Sequence, residues 1–171
     1  MRLARTIRTR PRSGIAISEV LSAVLVSELL SPSRELWLVT GWVSDIPVIA
    51  NQADEFSDLG EDLEASAFTL SEVLAHLTRH GTDVKVAVRD DRHNDAFLET
   101  MRRRCDPRRL SLFTSPDLHE KVLCGDDWLL KGSMNFTWNG LNVHEESIEL
   151  VLDEKDAARS RLEFSVRWRQ S

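Results

Sequence analysis

Between residues 35 and 114 the hydrophobic period of this chain changes four times, and that alternation constrains the fold more than any other feature. ELWLVTGWV (35–43) is a run of β-forming residues. TLSEVLAHLTRHG (69–81) places apolar residues at 70, 73, 74 and 77 on one helical face, with Thr69 and Glu72 as a capping box and Gly81 as the stop. DVKVAVR (83–89) alternates as a strand, NDAFLETMRRR (94–104) is a helix with Asn94 near its cap, and RLSLFT (109–114) is a strand again. Ahead of this block, Val20, Leu21, Val24, Leu25 and Leu29 share one face of a helix over 18–30. After it, strands are expected at 119–124, 127–131 and 146–153. Residues 44–68 read as a long surface connection, and 154–170 fit either a polar helix or a late strand. The order predicts an α/β single domain, a mixed β-sheet flanked by helices. Its parts are an N-terminal helical region (1–34), a core (35–153) and a C-terminal extension (154–171).

The stretch LHEKVLCGDDWLLKGSMNFTWNG (118–140) puts polar chemistry into this core. His119 and Lys121 are two residues apart, so in a strand both face the side opposite Val122 and Cys124. A lysine on a buried face is costly unless that face opens on a pocket that takes an anion. Asn135 adds an amide donor and Ser133 a hydroxyl, and Gly132 lets a ligand approach the backbone closely. Together they describe a cradle for a phosphate with an imidazole aimed at its phosphorus.

Charge is uneven. The net charge is −6, yet residues 1–12 hold five arginines and 102–109 hold five more, while 54–64 hold six acids. The basic segments suit phosphate, and the acidic one reads as a solvated face. Hydrophobic and charged residues, at 42% and 29%, are ordinary for a folded domain and argue against global disorder. Two cysteines without metal spacing fit a reducing, cytoplasmic setting, with Cys124 a buried thiol. Glu19 and Glu28 interrupt the apolar start, which argues against a signal peptide, and no run reaches the ~20 apolar residues that span a membrane.

HEKVLCGD fits H-x-K-x4-D through His119, Lys121 and Asp126, and GSMNFT follows. This resembles the phospholipase D superfamily, whose signature is that motif followed by G-S-x-N. The likeness spans roughly residues 35–153 and extends to Glu146, with Glu145 as a substitute. It departs in a gap from Asp126 to Gly132 that is one residue short, and in His144 where the family often has asparagine.

The resemblance implies a phospholipase D-like fold and a metal-independent phosphodiesterase. His119 would be the nucleophile that forms a phosphohistidine, or the acid that protonates the leaving oxygen. Glu146 would orient its ring, and Lys121 and Asn135 would bind non-bridging oxygens, supported by Ser133. Asp126 and Gly132 would be structural. The mechanism needs two histidines, so a homodimer would share one site. No cofactor or metal is implied; His76 and His80 have metal-binding spacing but no evident third ligand.

The expected substrate is nucleic acid, held by Arg102, Arg103 and Arg104 and the basic N-terminus. Trp138 is a candidate stacking platform, and His144 a candidate at the pocket rim. The chain also resembles phospholipase D-like components of bacterial DNA-modification and defence clusters of the 7-deazapurine type, which implies a part in such a cluster, with partner proteins. The alternatives are a non-catalytic nucleic-acid-binding or assembly subunit, and a lipid phosphodiesterase or phosphatidyl transferase.

Overall fold

The computed structural model describes residues 2–8, 16–50, 67–143 and 146–169; the acidic stretch 54–64 and His144 lie outside them. In chain order the elements are β1 (Leu3–Arg8), α1 (Ile17–Leu30), β2 (Glu35–Thr40), β3 (Pro47–Ala50), β4 (Ala67–Thr69), α2 (Leu70–Arg79) and β5 (Asp83–Arg89). A 3₁₀ turn (Arg92–Asn94) leads into α3 (Asp95–Arg104), β6 (Leu110–Ser115), β7 (Lys121–Cys124), β8 (Trp128–Gly132), α4 (Trp138–Asn142), β9 (Ser147–Leu152) and α5 (Glu154–Trp168).

Seven strands form a mixed sheet in the order β1-β9-β8-β7-β2-β5-β6, and β3 pairs with β4 apart from it. The β2, β5 and β6 strands are parallel, linked by the α2 and α3 crossovers, while β7, β8, β9 and β1 add antiparallel. One face carries α1, α2 and α3 over Leu36, Leu38, Val84, Val86, Leu123 and Leu130. The other is covered by α5, whose Ala157, Phe164 and Trp168 pack on Trp37, Val39, Cys124 and Leu129. There Trp37 stacks on Phe113 at 5.8 Å, and Phe113 on Trp168 at 5.6 Å.

Several elements differ from the sequence expectation. Leu3–Arg8 is a strand at the sheet edge, paired residue for residue with β9. The strand from Glu35 ends at Thr40 rather than at 43, because residues 41–44 turn out to follow Asn135 and Phe136: Val43 bridges Phe136, and Ser44 N–H donates to Phe136 O at 2.9 Å. The connection after it contains β3 and β4. The tail is helical from Glu154, capped by Asp153, whose carboxylate accepts from Lys155 N and Asp156 N.

A buried carboxylate ties the first helix to the sheet. Glu28 is 2% exposed; it accepts from Trp128 Nε1 at 2.6 Å and from Ser33 Oγ at 2.7 Å and Ser33 N at 2.9 Å. Full pairing makes burial of this charge tolerable. Burial pushes the Cys124 thiol up to about 12 and Cys105 up to about 11, so neither is a thiolate at neutral pH. No helix among the described residues is long and apolar enough to cross a membrane.

Candidate active site

The polar residues gather at one edge of the sheet. There the parallel β2 and β5 end, β7 and β9 begin, and β8 finishes at Gly132. The carboxyl ends of parallel strands are where an open α/β sheet leaves a crevice for ligands. Register decides where Lys121 points. It pairs with Thr40, and Leu123, two residues on, pairs with Leu38 inside the larger core. Lys121 therefore shares the Leu123 face but sits past the edge of the core, opposite in direction to Val122 and Cys124.

His119 precedes the strand, which begins at Lys121 rather than at 119. Strand alternation thus places Lys121 but not His119. Two other contacts place it. The Lys121 ammonium donates to the His119 carbonyl at 2.6 Å, and the adjacent Leu118 is fully buried in the smaller core cluster. The imidazole itself is exposed.

Asn135 approaches from the other side. Its side-chain oxygen accepts from Trp42 N at 3.3 Å and lies 3.5 Å from Thr40 Oγ1, a fully buried hydroxyl. With that oxygen engaged by the end of β2, the amide NH2 is the group left for a ligand. Gly41 lies between the two halves: a Cβ there would stand 3.3 Å from Leu118 O and 3.5 Å from Asn135 Oδ1. The chain leading to His119 and the Asn135 amide thus meet at a single residue. Asn94 braces this corner from below, donating to Gly41 O at 2.9 Å and Arg89 O at 2.8 Å and accepting from Val43 N at 2.9 Å.

Ser133 and Glu146 form the third side. Ser133 Oγ donates to the Glu146 carboxylate and accepts from Ser147 N at 3.1 Å. Gly132 permits this crossing, because a Cβ there would fall 2.1 Å from Ser147 O. The Glu146 carboxylate, expected on the His119 ring, is here held by Ser133.

Other residues singled out in the sequence lie elsewhere. Asp126 is in the turn between β7 and β8, at the opposite edge of the sheet. Its Oδ2 accepts from Arg34 N and Arg34 Nε, both at 3.0 Å, and Arg161 is 3.8 Å away. Burial pushes this carboxyl up, but the Arg34 N–H and guanidinium and the Arg161 charge outweigh it and hold the carboxyl below its usual range. Arg102, Arg103 and Arg104 end α3 and are also at that far edge. Beside them Arg109 pairs with Asp83 at the start of β5, and Arg104 with Glu72, both at 2.8 Å. They do not border the cradle. Trp138, 57% exposed, does lie beside Asn135.

Asp126→Asn is expected to cost about 1–2 kcal/mol of stability with kcat unchanged, since it removes charge-assisted hydrogen bonds far from the cradle. A carboxyl lowered in the fold contributes above its unfolded pKa and loses that contribution as pH falls through the folded value. The gap between wild type and Asp126→Asn in urea titrations therefore closes as pH drops below about 4.

Sequence reasoning missed Thr40, Gly41, Trp42 and the bracing role of Asn94, which read only as a helix cap. No protein-family model matches the sequence, and no curated protein matches it. Solved structures do. Nuc, a phospholipase D family member from Salmonella typhimurium, aligns at TM-score 0.64 and 17% identity, covering 99% of this chain and 96% of that one. NucT from Helicobacter pylori aligns at TM-score 0.66 and 10% identity, covering 96% and 94%. TrmBL2, an archaeal chromatin protein described as having a novel mode of DNA binding, aligns at TM-score 0.55 and 14% identity, covering 98% of this chain and 52% of its own.

Proposed function

We propose that this chain, which has the phospholipase D fold, is a phosphodiesterase that cuts nucleic acid without a metal, through a phosphohistidine in a site shared by two copies. The observation that carries the reading is the meeting of the His119 segment, Lys121 and Asn135 around Gly41. An ammonium and an amide NH2 bind phosphate oxygens directly. An exposed imidazole beside them is a group that can serve as nucleophile through a ring nitrogen or as acid through a ring N–H.

In the proposed step a His119 ring nitrogen attacks phosphorus and the bond to the leaving oxygen breaks. The partner subunit's His119 gives its proton to that oxygen. It then takes a proton from water, which attacks phosphorus and frees the first imidazole. Glu146, which Ser133 holds in the free chain, is proposed to turn to the far nitrogen of the His119 ring when the diester is bound and to fix its tautomer there. One described chain presents one such histidine at the cradle, so a twofold dimer completes the site.

Nucleic acid is preferred as the substrate because the chain matches Nuc and NucT over nearly all their length. A role in a bacterial DNA-restriction system, with partner proteins, belongs to the same proposal. The likeness to TrmBL2 favours a second reading, a DNA-binding subunit without turnover.

The test presents purified protein in EDTA with single- and double-stranded DNA and RNA and with a lipid diester. Cleavage of nucleic acid supports the proposal. Binding without turnover of any substrate supports the second reading, and head-group release from lipid overturns both.

A further inference from the structure

Next to the cradle the structure has a second hollow, of about 450 Å³, walled by Trp42 and Trp138, with Ser44, His93, Asn135 and Thr137 around it. We infer that it is a subsite for one unstacked nucleobase of the polymer whose phosphate lies in the cradle, so that the chain selects single-stranded or unpaired nucleic acid. This rests on the proposed function and goes further, naming the form of the substrate and the residues that read it.

The hollow is built by the same strand-like pairing that forms the cradle. Residues 42–44 run parallel to 135–137, with Val43 bridging Phe136, which sets Trp42 and Ser44 beside the start of α4. Thr137 caps that helix by accepting from Gly140 N at 3.2 Å, and Trp138 is its first residue. Gly140 is required there, because a Cβ would fall 2.3 Å from Asn135 O. Asn135 thus borders both sites, with its oxygen on Trp42 N.

The chemistry of the walls selects the ligand. Trp42 is half-buried and held, with the Arg89 guanidinium 5.4 Å from its ring centroid. Trp138 is 57% exposed, a large apolar face left open at the rim. The polar side is a pair, Ser44 Oγ and His93 Nε2, 3.1 Å apart. A flat heterocycle with π faces and a hydrogen-bonding edge matches two indoles and a polar flank. A lipid acyl chain has no use for the polar flank. A base reaches this hollow only when it has left its stack and pair, which costs least in a single strand.

Trp138 is the residue to change, since it is exposed and supports no core contact. In the His119→Ala background, Trp138→Ala is expected to weaken binding of a single-stranded oligonucleotide about ten- to hundredfold. Duplex binding stays within about twofold, and Trp138→Phe recovers most of the single-strand affinity. Light scattering shows the same oligomer throughout. Equal losses on single strand and duplex, no loss on either, or dissociation of the oligomer, which would make Trp138 a chain-to-chain contact, overturns the inference. Hydrolysis of bis(p-nitrophenyl) phosphate, which needs no base pocket, separates the two proposals. If the wild type leaves this diester intact while single-strand binding still depends on Trp138, the catalytic reading fails and the pocket stands. If the diester is cleaved and Trp138→Ala leaves single-strand binding unchanged, the pocket fails and the catalytic reading stands.

Discussion

Replacing His119 by alanine is expected to lower diester cleavage about 10³-fold or more and to leave the melting temperature unchanged. The loss is large because, in the proposed mechanism, the same imidazole performs two tasks, attack on one side of phosphorus and proton transfer on the other. The fold is spared because the ring is exposed and makes no hydrogen bond with the described residues. It is the His119 carbonyl, which alanine retains, that holds Lys121 at 2.6 Å. Activity assays beside thermal melts check both halves. A variant that keeps its rate would remove His119 from the chemistry, and one that melts several degrees lower would show that the ring supports the fold.

Lys121→Met is expected to lower kcat about 10²- to 10³-fold, with a smaller effect on KM. Methionine keeps most of the apolar stem, so the packing beside Leu123 survives while the charge goes. Two things are lost together: the cation proposed to face the phosphate oxygens, whose charge grows in the transition state, and the donor that fixes the His119 carbonyl. Lys121→Arg is not expected to restore the rate, because a planar fork cannot occupy the position of a compact ammonium. Steady-state kinetics on a small aryl diester and on an oligonucleotide check this. An increase in KM alone would make Lys121 a contributor to binding rather than to the chemical step.

The parts of the site that were legible in the sequence are those fixed by short-range spacing. Lys121 at the start of β7, Gly132 at the end of β8, and Ser133 and Asn135 just after it arise from local geometry that a strand and a tight bend impose, whereas His119 lies ahead of the strand and is tied to Lys121 through its carbonyl. The same holds for α2, whose capping box is present, with Thr69 N–H on Glu72 at 2.8 Å. What escaped depends on distant partners. The edge strand Leu3–Arg8 is exposed along almost all its length and owes its conformation to β9, more than a hundred residues away. Its arginines masked the period-two pattern of Leu3, Arg5 and Ile7 on one face. The tail was ambiguous because only Ala157, Phe164 and Trp168 of α5 are buried, too few to mark a helical face clearly. Trp42 and Thr40 reach Asn135 only through the fold, so nothing near them in the sequence announces the contact.

The basic segments teach the opposite lesson. Arg102, Arg103 and Arg104 looked suited to a polyanion on charge alone, yet the crossover from β5 to β6 carries the end of α3 to the edge away from the cradle. Charge density along a sequence does not say which end of a sheet it serves.

Subunit mixing tests the central claim most directly. Wild type and His119→Ala chains are combined at several ratios, allowed to exchange, and assayed on one diester. If two copies complete one site, only wild-type pairs are active. Activity then falls as the square of the wild-type fraction, and an equal mixture keeps about one quarter. A linear fall, with about one half remaining, would mean that each chain carries a complete site and would contradict the account.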